Sequence, residues 1–297
     1  MRIICKVKFA QTLLTLALVG VSAVYAADQP SESPVELVRS TVRNEIGSGT
    51  DGTKSMYVNR KQTQHGSQTK LVVETREGTA GLMILIDGKR LTPEQRNAEE
   101  TRLSELANNP EELKKRQRSD KEDEERTERI MRALPDAFIF EPDGMVAGTQ
   151  EVGKPGDQLV RLKFRPNPNY SAPSHVEQIL TGLEGYLLID ADQHRIAKID
   201  GTLGREVGFG WGILGHLDRG GHFLVQQADV TKGEWELTRM TLSFTGKALL
   251  IKSINIQSDE VCTDFRPAPS DLTFAQGVEL LKKQSELPIT AQNHNPE

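Results

Sequence analysis

The sequence predicts an α+β fold: a curved antiparallel sheet, an unclosed β-barrel, covered by helices and carrying an inserted, highly charged helical hairpin. Three observations lead there. Between Gly182 and Ile256, short apolar runs alternate with turn residues at the spacing of hairpin-connected strands. Apolar residues recur at helical spacing on either side of that stretch: Val35, Val38, Val42 and Ile46 before it, Leu272, Ala275, Val278 and either Leu281 or Leu280 after it. From Glu94 to Arg132 there are 12 acids and 10 bases among 39 residues, and Lys114 to Arg129 contains no apolar side chain to bury.

The elements follow in chain order. Arg2, Lys6 and Lys8 make a basic start, Phe9 to Val21 a short apolar core, and Val24-Tyr-Ala26 offers small residues for cleavage. This is the pattern of a secretory signal peptide over residues 1–26. The apolar run is shorter than the roughly 20 residues a comfortable membrane span needs, and no Cys follows it to take a lipid anchor. Removing the segment takes away those three bases and no acid, so the net charge moves from −5 to −8. An exported chain of that charge is not expected to bind nucleic acid. Cys262 is then the remaining cysteine; no internal disulfide is expected, and a small buried strand residue is.

Residues 27–34 form a polar linker, and residues 35–284 are read as one antiparallel-sheet domain. A helix over Val35–Ile46 is stopped by Gly47 and Ser48-Gly-Thr-Asp-Gly52. Strands are expected at Ser55–Thr63, Gln68–Glu77 and Gly81–Asp87, with a turn at Asp87-Gly88. The helical insertion spans 92–134. Thr92-Pro-Glu-Gln95 has the grammar of a helix start with a capping box, and Asn109-Pro-Glu-Glu112 repeats it, so two helices are predicted. Glu122–Arg126, Glu125–Arg129 and Glu128–Arg132 support the second at i,i+4, by a few tenths of a kcal/mol each. Ile130, Met131 and Leu134 would reattach it to the body.

Further on, Ala137–Phe140 reads as a strand ended by a Glu141-Pro-Asp-Gly144 turn. Asp157–Arg165 alternates, with Leu159, Arg161, Lys163 and Arg165 opposite Val160, Leu162 and Phe164. In the meander, Gly185–Asp190 pairs back through Ala191–His194 onto Arg195–Gly201, where the spacing of Ile196 and Ile199 predicts a bulge. Glu206–Gly215 reads as one strand with Val207, Phe209, Trp211 and Ile213 on one face and glycines on the other. Turns are expected at His216–Gly221, Lys232-Gly233 and Thr245–Lys247, strands at His222–Val230, Glu234–Phe244 and Ala248–Ile256, and an extension at Ser258–Asp264. A short helix over Leu272–Lys283 and a disordered tail over 285–297 complete the chain.

No motif for catalysis emerges, so no enzyme, cofactor or metal is expected. Gly210-Trp-Gly-Ile-Leu-Gly215 has the letters of a dinucleotide fingerprint but neither the strand before it nor the helix after it that the motif requires. His216, Asp218 and His222 have metal-ligand types, but no fourth ligand or supporting shell can be placed. His175-Val-Glu177 lacks a Pro-Cys-x-x-Cys partner, and Ser171 and Ser174 lack a nucleophile elbow. Asp190 and Asp192 read as solvated turn residues. Phe209, Trp211, Phe223 and Trp235 are the candidate ligand-binding residues: their aromatic face is either sheet core or the lining of an apolar cavity. Arg161, Lys163 and Arg165, with Arg239, form either a solvated face or an anionic-headgroup contact.

Taken together, the export segment, the N-terminal helix, Gly185-Tyr-Leu-Leu-Ile-Asp…Arg-Ile-Ala-Lys-Ile-Asp-Gly201, Trp235-Glu-Leu and Leu249-Leu-Ile-Lys-Ser-Ile resemble the periplasmic outer-membrane lipoprotein-sorting carriers and their lipoprotein-binding relatives. The Leu91-Thr-Pro-Glu-Gln95 insertion and the glycines flanking Phe209 and Trp211 bring the chain closer to an uncharacterised secreted bacterial group of that style. The resemblance covers most of residues 35–256. It implies an unclosed barrel whose helices cover an apolar cavity, and binding without chemistry. The charged insertion departs from the carriers, and none of their functional residues maps onto a position here. The expected function is therefore a periplasmic, non-enzymatic carrier of a lipid, lipoprotein or other apolar ligand, with at most transient membrane contact. The alternative is an envelope interaction protein that docks a partner protein through residues 92–134.

Overall fold

The computed structural model describes residues 32–48, 53–209, 215–231, 233–248 and 252–285. The helices are α1 (Pro34–Ser48), α2 (Pro93–Ala107), α3 (Pro110–Ala137) and α4 (Phe274–Ser285), with a 3-10 turn at Glu177–Gly182. The strands are β1 (Ser55–Thr63), β2 (Gly66–Thr75), β3 (Gly78–Ile86), β4 (Lys89–Arg90), β5 (Phe138–Ala147), β6 (Gln158–Pro166), β7 (Leu183–Asp190), β8 (Arg195–Leu203), β9 (Val207–Phe209), β10 (Gly215–Leu217), β11 (His222–Thr231), β12 (Glu234–Ala248) and β13 (Lys252–Pro267). All belong to one antiparallel sheet in the order β4-β3-β2-β1-β13-β12-β11-β8-β7-β6-β5, with β9 and β10 branching from β12. The sheet does not close: β4 and β5 are its two edges.

The hairpin grammar is realised as read. Thr92 caps α2, accepting from the Gln95 N–H while the Gln95 side chain accepts from the Thr92 N–H. Asn109 caps α3 by accepting from the Glu112 N–H at 3.1 Å. The β7–β8 bulge is present, Ala197 being the extra residue between the Leu188–Lys198 and Ile189–Ile196 pairs. Three expectations are corrected. Glu141–Gly144 does not end a strand; β5 runs through it to Ala147, and a bulge between Pro142 and Met145 absorbs the proline on an edge strand. Glu206–Gly215 is not one strand, because β9 and β10 pair with each other antiparallel and residues 210–214 lie outside the described segments. Thr245–Lys247 does not turn. Gly246 sits against the His216 carbonyl, so its missing side chain admits β10 alongside β12 instead of reversing the chain.

Ladder register sorts the side chains. Cross-strand partners share a face, and following them from Phe164 and Leu162 through Leu187, Ile199, Val225 and Met240 to Tyr57, Val72 and Gly81 traces one face across the sheet. At its β5–β8 end this face is covered by α1 (Leu37, Val38, Val42) and the last turns of α3 (Leu134, Ala137), which make the main core with Leu162, Phe164, Leu187, Leu203 and Phe244. The neighbouring residues Met56, Val73, Ala80 and Leu82 point the other way and pack with Phe274, Val278 and Leu281 of α4 and Leu103 of α2. Gly277 makes that contact possible, since a Cβ there would lie 2.7 Å from Thr75 Cγ2. A small third cluster joins Leu159, Leu188, Ala197 and Trp235.

Helix α3 links the two edges. Near its start, Gln117 Nε2 donates to the Glu77 carbonyl at the β2–β3 turn (2.9 Å), and Arg116 lies over the Phe274 ring. Near its end, Ile130, Met131 and Leu134 enter the main core beside β5, as the sequence suggested. Between these anchors Arg118–Thr127 is exposed on every side. The thirteen helical steps from Gln117 to Ile130 span about 20 Å, so the charge of this segment is that of a strut crossing solvent. Its pairings differ in part from those expected: Arg132 bonds Glu128, but Arg126 bonds Asp123 at 2.6 Å and Lys121 lies 3.9 Å from Glu125.

Candidate functional site

Where α2 turns into α3, the hairpin elbow stands off the β2–β3 ladder and leaves an open groove of about 580 Å³. Beneath it lie Val72 from β2 and Leu103 from α2, both buried, and half-buried Leu106 of α2 is the leucine that reaches the groove surface. Gly81 contributes no side chain, and a Cβ there would lie 3.7 Å from the alkyl stem of Lys70. Arg102, Arg116, Glu105, Asn109 and Glu112 complete the walls.

One wall is held by a buried carboxylate. β3 carries a bulge at Ile84, and the Met83 N–H there donates to Glu99 Oε1 at 3.0 Å. Arg102 grips both Glu99 oxygens at 2.7 and 2.8 Å. Burial opposes ionisation of Glu99, whose residue is 6% exposed, but the Arg102 and Met83 hydrogen bonds outweigh it and hold the carboxyl below its ordinary range. The hydrogen bonds to Glu99 in turn raise the pKa of the Arg102 guanidinium above its ordinary value. This pair ties α2 to the edge of the sheet.

The four aromatic residues named from sequence are not brought to one place. Phe209 and Phe223 are half-buried at the margin of the main core. Trp235 lies in the third cluster, 9% exposed, its indole N–H donating to Gln193 Oε1 at 3.0 Å and its ring beneath Arg195. Trp211 lies outside the described residues. Between the main core and the elbow groove, Val225 and Met240 face each other across β11 and β12, half-buried and outside the three packed clusters. Ile256 is 44% exposed.

The polar candidates resolve into local networks. Arg161 and Lys163 are 3.0 and 2.8 Å from the oxygens of Asp143, Arg165 is 3.3 Å from Glu141, and Arg239 chelates Asp259. Arg161 also stacks on Tyr186. His222 does not join His216 and Asp218; it bonds Asp200 at 3.0 Å. Asp200 also accepts from Tyr186 Oη (3.0 Å) and lies 3.1 Å from Lys198 Nζ, while Lys198 donates to Tyr186 Oη at 2.6 Å. Burial pushes the Asp200 carboxyl up, but His222, Lys198 and Tyr186 bring it below its ordinary value. The third residue beside His216 and Asp218 is Glu206; one ligand atom from each lies within 4.8 Å of the others, on a partly exposed surface. Asp190 is buried, not solvated, and accepts from the Gln193 N–H to shape the β7–β8 turn. Glu177 is likewise buried, bonded to the Ser174 hydroxyl.

Sequence reading did not single out Lys70, Arg102 or Arg116, because isolated charges on a charged hairpin carry no spacing signal. Leu103, Leu106 and Leu113, the leucines of an otherwise charged segment, were the available hint that the elbow rests on something apolar. Among the described residues, no helix is long and apolar enough to cross a membrane.

No family model and no curated protein matches the sequence. Among solved structures, the fold is similar to an outer-membrane lipoprotein-sorting protein domain from Vibrio parahaemolyticus, at 11% identity and a TM-score of 0.31, over 84% of this chain and 97% of that one. It is also similar to a DUF1329 family protein from Desulfovibrio piger, at 10% identity and a TM-score of 0.26, over 84% of this chain and 99% of that one.

Proposed function

We propose that this chain is a periplasmic, non-enzymatic binding or carrier protein for a lipid, lipoprotein or other acyl-bearing ligand held between sheet and helices. The observation that carries the reading is the groove under the hairpin elbow. It is about 580 Å³ in volume, inside the roughly 300–1,000 Å³ of small-molecule sites, and it lies over apolar side chains between polar walls. On the same sheet face, Val225 and Met240 extend half-covered apolar surface toward the main core, where Phe209 and Phe223 offer a second seat for a chain. Each methylene withdrawn from water there would contribute about 0.8 kcal/mol. The export segment at residues 1–26 supports a periplasmic location, with membrane contact limited to loading or delivery.

Native mass spectrometry of the protein from an envelope fraction, with titration of a fluorescent fatty acid, tests the proposal. A mass excess matching a lipid or acylated peptide, and saturable probe uptake, are expected. An apo mass together with no probe uptake would refute it. One observation favours a second reading, docking of a partner protein through the hairpin: Arg118–Thr127 presents charge on all sides while held at both ends. Co-purification that depends on those surface charges, with no lipid found, would select it.

A further inference from the structure

We infer that the elbow groove seats an anionic headgroup, a phosphate or carboxylate, with Lys70 and Arg116 as its cationic contacts. The inference rests on the acyl-ligand reading above and adds the charge of the ligand and the end by which it is held.

Lys70 and Arg116 both line the groove and are half-buried. Among the described residues, neither has a carboxylate within ion-pair distance. Arg102, the third cation, differs because its guanidinium is committed to Glu99. Glu105 and Glu112, on the groove wall, are exposed, and Glu112 lies 3.9 Å from Lys115. Lys70 acts on the Glu99 carboxylate at longer range, adding to the hold of Arg102 on it, but among the described residues neither Lys70 nor Arg116 has a carboxylate in direct contact, so both can donate charge-assisted hydrogen bonds to an anion.

The geometry around them suits the end of an amphiphile. Arg116 rests over the Phe274 ring, 5.8 Å from its centroid, which restrains a long side chain and leaves the guanidinium edge available to a two-oxygen acceptor. Lys70 extends from β2, its stem 3.7 Å from where a Cβ on Gly81 would lie. Val72, Leu103 and Leu106 lie next to both cations, where the first methylenes behind a headgroup would sit.

The test is calorimetric titration, at low and at physiological salt, of the full chain with myristate, myristoyl lysophosphatidate, the uncharged monomyristoylglycerol, and inorganic phosphate. The wild-type protein should prefer the two anionic amphiphiles over the uncharged one by about tenfold or more, a preference that salt weakens. In Lys70→Gln/Arg116→Gln that preference should fall to about one, with monomyristoylglycerol affinity unchanged, which also shows that the variant is folded. Arg161→Gln, at a cation already paired with Asp143, should leave the preference intact. Equal wild-type affinity for charged and uncharged amphiphiles would overturn the inference while leaving the carrier reading in place. Absence of binding by all three amphiphiles would remove both. Inorganic phosphate binding as tightly as lysophosphatidate would overturn the lipid-headgroup assignment in favour of a free-anion site.

Discussion

Replacing the hairpin is the perturbation that separates a surface appendage from a structural member. If α2 and α3 were an appendage, exchanging residues 92–134 for a flexible linker would leave stability unchanged. The structure says otherwise. Leu103 is 1% exposed in the α4 core and Leu134 5% exposed in the main core. Leu106, Leu113, Ile130 and Met131 pack against the same two cores, partly buried. At about 1.5–3 kcal/mol for each full burial and half that for each partial one, the segment contributes roughly 6–12 kcal/mol, against a total domain stability of about 5–15 kcal/mol. Geometry adds a second cost. The 28 residues of α3 extend about 42 Å and hold two separate cores in one rigid element, an ordering that a flexible linker does not supply. A Gly/Ser replacement of about 20 residues should therefore lose cooperative urea unfolding, followed by fluorescence and circular dichroism. Neutralising only the exposed charges of Arg118–Thr127 should shift stability by about 1 kcal/mol or less. A hairpin replacement that still unfolds cooperatively within about 2 kcal/mol of the parent would refute the two-anchor account.

Three further outcomes follow from the same geometry. Because Glu99 is held below its ordinary value of 4.5, the stability it contributes is full above that pH and is lost as pH falls through its folded value. Glu99→Gln should thus lower the melting temperature at neutral pH, with the gap to wild type narrowing below about pH 4; a gap that widens on acidification would contradict the assignment. Thr273 and Gln276 exchange side-chain-to-backbone bonds at the start of α4 (3.2 and 2.9 Å), so Thr273→Ala should cost about 0.5–2 kcal/mol in chemical denaturation. Burial pushes the Cys262 thiol up to about 11, despite a hydrogen bond from Asn59; at pH 7 it should resist a thiol reagent in the folded protein and react on unfolding, and fast native labelling would show that β13 opens there.

The sequence by itself determined what local chemistry determines. Thr92-Pro-Glu-Gln95 and Asn109-Pro-Glu-Glu112 place two helix starts correctly because caps and prolines act within four residues. Alternation in β6 put Leu162 and Phe164 on one face, since a strand's period is two, and the structure makes that the face of the main core. Tertiary contacts decided the rest. Whether Gly246 turns or lies flat depends on β10 arriving beside it. Leu272 was read as the inward start of the last helix, whereas Phe274 is the fully buried residue there, because α4 docks where Gly277 meets Thr75. The aromatic residues Phe209, Phe223 and Trp235 belong to two clusters, and the β11–β12 pairing is interrupted by two bulges between Phe223 and Trp235. Most of all, the groove exists because β2, β3 and an elbow 30–40 residues further along the chain meet there. Lys70 and Arg116 gain their shared significance from one long charged helix that runs from the β2–β3 turn to β5, and no local pattern records that juxtaposition.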